Sequence, residues 1–190
     1  KEEGYEHFGL QRGFPVVLVV GGSQGALSIN RSINKILEYF IKSRVQLIWQ
    51  TGPAYEETAQ KALKSINNSD DNQSLIRILP FIKEMELAYG AADIVISRAG
   101  AIAISELCIA GKPSILVPLP SAAEDHQTKN AKFLEERNAG RMIADSNLND
   151  QLKITLLELI GSQNKQEELA KNIKKLAVSD AAERIADVVI

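Results

Sequence analysis

The chain reads as an α/β protein built on a doubly wound, Rossmann-like parallel sheet of about six strands. Three observations predict this. Short apolar runs, suited to strands buried on both faces, alternate with stretches of helical period. Small glycine-bearing turns follow the first and fourth runs, where strand gives way to helix. The composition, 45% hydrophobic and 24% charged over 190 residues, is that of an ordinary globular domain long enough to bury a sizeable core.

The elements follow in order. Residues 1–14 are polar, carry glycines and show no period; they are expected to be a lead-in, with His7 solvated. Pro15 opens the run Val16 to Val20, and Gly21-Gly22-Ser23-Gln24-Gly25-Ala26 turns the chain. Ile29, Ile33, Ile36, Leu37 and Phe40 then recur at helical spacing, which predicts one amphipathic helix of about four turns. The second run, Val45 to Trp49, ends in Gln50. Thr51-Gly52-Pro53 is a turn, and residues 54–66 are expected to be helical with Ala59, Ala62 and Leu63 inward. Residues 67–72 read as a loop, with Asp70-Asp71 solvated. Leu75 to Leu79 is the third strand, Pro80-Phe81-Ile82 the loop after it, and a short helix runs through Met85, Leu87 and Ala88. Ile94-Val95-Ile96 stops at Ser97, Arg98-Ala99-Gly100 turns the chain, and a helix runs from Ala101 to Ala110-Gly111. Lys112-Pro113 breaks it before a fifth strand, Ser114 to Val117. A helix from His126 to Arg137 has Asp125 as its expected N-cap and ends at Asn138-Ala139-Gly140. Arg141 to Ala144 is a sixth strand. Helices are expected over Leu148 to Leu159, Asn164 to Leu176 and Ala181 to Ile190, the last capped by Ser179-Asp180.

Composition excludes several function classes. The net charge of −2 offers no basic footprint for nucleic acid. The one cysteine, Cys108, rules out an internal disulfide framework, suits a reducing cytosol, and sits mid-helix where a buried small hydrophobe is expected. No apolar run approaches the roughly 18 residues of a membrane span, and the N-terminus lacks a signal-peptide layout.

In such a sheet the ligand crevice lies at the strand C-termini near the switch in strand order. The polar candidates fall there, on four separate loops. Gly21 to Ala26 has its glycines at 21, 22 and 25, the wrong spacing for a dinucleotide fingerprint, and the second strand ends in Gln50 rather than an acid. The P-loop pattern fails as well, because Pro113 follows Gly111-Lys112. The glycine turn therefore suits an anion or sugar contact, with Ser23 and Gln24 as donors, although a purely structural tight turn also accounts for it. Phe81 is either core, the simpler reading from position alone, or a stacking surface. The free N–H groups of Ala101, Ile102 and Ala103 open a helix and form an anion site. Glu106, one turn on, would repel phosphate if it pointed inward but could grip a neutral diol. Glu124-Asp125-His126-Gln127 follows Pro118-Leu119-Pro120 at a strand end, where folding needs no such residues.

Five motifs occur in order: G-G-S-Q-G-A from Gly21, F-I-x-x-M-x-x-A-Y-x-x-A-D from Phe81, S-R-A-G-A-x-x-x-S-E from Ser97, G-K-P-x-I-L-V-P from Gly111, and D-H-Q-x-x-N-A from Asp125. Over residues 16–190 the chain resembles the MurG family of peptidoglycan glycosyltransferases, and only the C-terminal, donor-binding lobe of that two-lobed GT-B fold. The resemblance implies that residues 15–190 form this lobe, and that Ser23 meets a UDP-N-acetylglucosamine donor with Gln24 nearby. It implies that Phe81 borders the uracil and that Ile82 pairs with it through the main chain. It further implies that the amides from Ala101 to Ala103 hold the pyrophosphate, that Ser105 in the same motif is among the substrate-binding residues, and that Glu106 takes the ribose hydroxyls. Gln127 would hydrogen-bond the sugar with His126 beside it. No catalytic residue, cofactor or metal is expected here, since the base and the undecaprenyl-linked acceptor belong to an N-terminal lobe without a counterpart in this chain. The lobe alone is expected to be inactive, and the full protein to be cytoplasmic and peripheral on the inner membrane. Two other classes fit the same residues: another two-lobed UDP-sugar enzyme, such as an epimerase or glycolipid synthase, and a non-catalytic nucleotide-binding module.

Overall fold

The structure, a computed structural model, describes residues 1–66 and 75–177. Six parallel strands form one sheet: β1 Val16–Val20, β2 Gln46–Gln50, β3 Ile76–Leu79, β4 Ile94–Ser97, β5 Ser114–Leu116 and β6 Arg141–Met142, in the order β3-β2-β1-β4-β5-β6. The expected doubly wound sheet is thus present. The chain builds outward from β1 to β3 and then returns to the other side of β1, so the switch point lies between β1 and β4. Register aligns the strand ends: Val20 pairs with Gln50 and with Ser97, Gln50 with Leu79, and Ser97 with Leu116. The loops that follow those residues therefore open onto one edge.

Each strand sends alternate side chains to opposite faces, so a β-branched run such as Val16–Val20 feeds two cores. Val17, Val19, Leu47, Trp49, Ile94 and Ile96 meet helices α2 (Leu27–Lys35), α3 (Leu37–Lys42), α4 (Pro53–Ile66) and α8 (Leu148–Ile160). Val16, Leu18, Ile48 and Val95 meet α1 (Glu2–Phe8), α5 (Met85–Ala91), α6 (Ala101–Ala110), α7 (His126–Glu136) and Ile173 of α9 (Gln163–Lys174). Cys108 is buried in the second core, as expected, and burial pushes its thiol pKa up.

Several local expectations are corrected. Residues 1–14 are not irregular: α1 occupies Glu2–Phe8 and buries Tyr5 and Phe8, while Arg77 donates to the Phe8 and Gly9 carbonyls. The four-turn helix after β1 is two helices, broken at Ile36 (φ −110°, ψ 11°). Asp125 does not cap α7 with its side chain; it has φ 55° and follows Glu124 at φ 49° in a single 3-10 turn. The sixth strand stops at Met142. The loop expected over 67–72 and the helix expected over 181–190, with its 179–180 cap, lie outside the described residues.

The glycine turn after β1 is held against the turn after β2 by direct backbone contact. Gly25 has φ 76°, and a Cβ there would stand 2.0 Å from the Thr51 carbonyl oxygen; Gly52, also at φ 76°, would place one 2.3 Å from the Gln24 carbonyl. Beneath this contact Asn30 donates to the Thr51 carbonyl at 2.7 Å and accepts from the Trp49 indole at 3.0 Å. Gly22 has φ 86° but open space around it. Gly25→Ala is therefore expected to cost about 3 kcal/mol or more, from backbone strain and a clash together. Gly22→Ala is expected to cost only the conformational part, about 1 kcal/mol. Urea unfolding of both variants checks this, and equal losses would show that the close approach does not matter.

Candidate functional site

A cleft of about 890 Å³ lies along the strand ends at the switch point. Its walls come from the glycine turn, the loop after β3, the first turns of α6, the loop after β5 and the start of α7. The expected convergence of separate loops is present.

α6 begins at Gly100, which is extended (φ −68°, ψ 153°); no side chain caps the helix and no acidic residue stands in its first turn. Its first amides remain available, at the end of the helix that favours an anion. Ile102 and Ala103 line the cleft, while Ala101 is exposed outside its wall. Ser105 turns back to its own helix, donating to the Ala101 carbonyl at 3.0 Å, and is not on the wall. Glu106 is on the wall and accepts from the Tyr89 hydroxyl at 3.0 Å. Burial, with the Glu106 carboxylate beside it, holds the Tyr89 phenol above its usual pKa range. At neutral pH the phenol is therefore a donor.

Ser23 lines the cleft, and Gln24 does not; the Gln24 backbone is committed to the contact with Gly52. Phe81 is 52% exposed at the mouth of the cleft, so it is a surface available for stacking rather than core. The Ile82 side chain is buried and its N–H donates to Gln50 Oε1 at 3.0 Å, while Gln50 Nε2 donates to the Gly22 carbonyl at 2.9 Å. Gln50 is thus a strut between the glycine turn and the loop after β3. The Ile82 amide is therefore engaged within the protein.

Gln127 has a part that sequence did not show. Its Oε1 accepts from the amides of Leu119 at 3.0 Å and Ala99 at 3.3 Å, so the turn before α6 and the loop after β5 share one side chain. Two N–H donors fix the amide's orientation, which leaves Nε2 as a donor towards the cleft. Asn130, one turn along α7, donates to the Ala99 carbonyl at 3.0 Å. His126 is exposed and is not on the cleft wall.

Three further residues of the site were missed. The Arg98 guanidinium meets Asp145 Oδ1 at 2.6 Å, the Val117 and Pro118 carbonyls at 3.2 Å each, and Ser28 Oγ at 2.8 Å. The Ser28 hydroxyl in turn donates to Asp145 at 2.6 Å. A charged residue placed directly after a buried strand run was the available signal for Arg98. Nothing local marks Asp145 or Ser28. Among the described residues no group of three or more His, Cys, Asp or Glu side chains is placed to hold a metal ion. No helix among them is long and apolar enough to cross a membrane.

An uncapped helix start, a carboxylate one turn on and an exposed aromatic ring border one cleft at the switch point of a parallel sheet, which is the arrangement of a doubly wound α/β lobe with its crevice at the strand C-termini. Residues 16–185 match the glycosyltransferase family 28 C-terminal domain, and the chain belongs to that family. It is 46% identical over 190 residues to a UDP-N-acetylglucosamine–N-acetylmuramyl-(pentapeptide) pyrophosphoryl-undecaprenol N-acetylglucosamine transferase of Parabacteroides distasonis, covering all of this chain and 50% of the relative. It is 47% identical over 188 residues to the protein of the same name from Porphyromonas gingivalis, covering 98% and 48%. Among solved structures, MurG of Acinetobacter baumannii superposes with a TM-score of 0.79 at 31% identity, covering 97% of this chain and 52% of that one. The chain spans about half the length of these relatives. The expected resemblance to the C-terminal half of MurG-type transferases is therefore met.

The Arg98–Asp145 pair is 14% and 19% exposed by side chain. Removing one partner strands the other in a poorly solvated place, so Asp145→Ala is expected to cost roughly 3 kcal/mol. The double change Arg98→Met with Asp145→Leu, which removes both charges, is expected to recover most of it. Chemical denaturation of both variants is the check. A loss below about 1 kcal/mol for Asp145→Ala would place the pair with ordinary surface ion pairs.

Proposed function

We propose that residues 15–190 are the donor-binding lobe of an inverting glycosyltransferase. The full protein transfers N-acetylglucosamine from its UDP donor to the undecaprenyl-pyrophosphoryl-muramoyl-pentapeptide in peptidoglycan synthesis. The observation that carries the reading is the uncapped start of α6 with Glu106 one turn along it, both on the wall of one cleft. The names and the 46–47% identity of the relatives support the choice of donor and acceptor.

On this reading the pyrophosphate sits on the amides of Ala101 to Ala103. As the bond to the sugar breaks, negative charge builds on the leaving UDP, and oriented N–H groups that need no reorganisation stabilise it. Phe81 stacks at the edge of the uracil, whose imide N–H meets the Ile82 carbonyl. Glu106 accepts from the two ribose hydroxyls, and Ser23 and Gln127 Nε2 donate to phosphate or sugar oxygens. The base that activates the acceptor hydroxyl, and the contacts to the lipid at the cytoplasmic face of the membrane, belong to an acceptor-binding lobe that works with this one.

Calorimetric titration of the chain with UDP-N-acetylglucosamine and with UDP tests the reading. Binding is expected to persist in the presence of a chelator, because a helix terminus rather than a metal meets the diphosphate. A tenfold loss on chelation, about 1.4 kcal/mol, or equal affinity for ADP, would overturn it.

Glu106 gives a sharper test. Two charge-assisted hydrogen bonds to the ribose are worth roughly 1.5–3 kcal/mol together. Glu106→Ala is therefore expected to weaken UDP on the order of tenfold to a hundredfold while leaving 2′,3′-dideoxy-UDP unchanged. Equal weakening of both nucleotides, with a lowered melting temperature, would mean general damage to the lobe.

A further inference from the structure

We infer that Tyr89 is the positioning residue for recognition of the ribose diol, acting through its hydrogen bond to Glu106. The inference rests on the proposed function and deepens it.

Glu106 stands on a rim between two hollows. On one side is the cleft at the switch point; on the other is a second hollow of about 530 Å³, whose lining includes Glu86, Ile109 and Lys112. Glu106 and Tyr89 border both. The Glu106 side chain is exposed, and an exposed glutamate on a helix has many rotamers to choose from, only some of which face a bound nucleotide. Ordering it on binding would cost affinity.

Tyr89 removes that freedom. It belongs to α5, a different element, and is part of the second core with only 7% exposure. A tyrosine has two side-chain torsions, so a buried ring fixes where its hydroxyl lies. That hydroxyl donates to Glu106 Oε2 at 3.0 Å. A carboxylate has about four acceptor positions, so one bond to Tyr89 leaves Oε1 and a second lone pair on Oε2 for two ribose hydroxyls. The hydroxyl therefore orders the carboxylate without using up its capacity. Without it, Glu106 is free to turn towards the second hollow.

The experiment is a calorimetric comparison of UDP with 2′,3′-dideoxy-UDP in the 190-residue chain and in Tyr89→Phe, Glu106→Ala and the double variant, with a melting curve for each. Tyr89→Phe keeps the ring and removes one hydroxyl. It is expected to weaken UDP on the order of three- to tenfold, to leave dideoxy-UDP unchanged, and to add nothing in the Glu106→Ala background. Equal losses for both nucleotides, no loss for UDP, or additive losses in the double variant would overturn the inference. If Glu106→Ala itself shows no preference for the diol, the proposed function of the site fails and the inference falls with it. If Glu106→Ala is selective and Tyr89→Phe is not, only the inference fails.

Discussion

The fixed point of the site is the peptide of Ala99. Its N–H is held by Gln127 and its carbonyl by Asn130, both from α7. A helix can present its first amides to an anion only if the turn before it is still, because a turn that moves spends binding energy on its own ordering. The small side chains of Ala99 and Gly100 leave the backbone accessible. The cost is that neither Ala99 nor Gly100 has a side chain that can anchor it, so the anchors for the Ala99 backbone come from another helix. The i, i+3 spacing of Gln127 and Asn130 puts both on one face of α7.

The other loops are tied by a similar device, a largely shielded polar side chain that hydrogen-bonds groups from separate parts of the chain. Gln50 joins Gly22 to Ile82. Arg98 joins the end of β5 to α2 and to Asp145. Asn30 ties α2 to the end of β2, through the Trp49 indole and the Thr51 carbonyl. Each side chain would be costly to bury alone and is stable because its groups are matched. The edge of a parallel sheet supplies the carbonyls and amides they need. The rigid part of the site is therefore a lattice of side-chain hydrogen bonds, most of them to the backbone, and the groups left over on the wall are those a ligand can use.

The sheet was legible because its central strands are buried on both faces and read as unbroken apolar runs. Two local features were not, for physical reasons. The spacing of Ile29, Ile33, Ile36, Leu37 and Phe40 fits one long helix as well as two short ones, so apolar period could not reveal the break at Ile36. α1 has only seven residues and commits Tyr5 and Phe8 to the core, too few to show a period. In the site, Ser23 and Gln127 were visible as polar residues following strands, and Glu106 as a carboxylate one turn into the helix after β4. Which atom of Gln127 stays free depends on the Leu119 and Ala99 amides, far away in sequence. Ser105 sits in the same motif as Glu106 but turns back along α6. Tyr89 and Asp145 enter the site through tertiary contact alone.

A carboxylate close to a diphosphate needs a physical reason to be there. One helical turn is about 5.4 Å. At roughly 7 Å and an effective dielectric constant of 20, like unit charges repel by about 2 kcal/mol, comparable to what a pair of ribose hydrogen bonds returns. Exposure of Glu106 screens that repulsion further, and the Tyr89 bond holds the carboxylate on the rim, off the axis of α6. On the proposed reading the balance then depends on the ligand. A nucleoside diphosphate gains the helix terminus and the diol contacts and offsets the repulsion. A bare diphosphate gains only the helix terminus and meets the same negative charge. On that reading the acidic residue that looks misplaced beside an anion site is what makes the site select for the nucleoside.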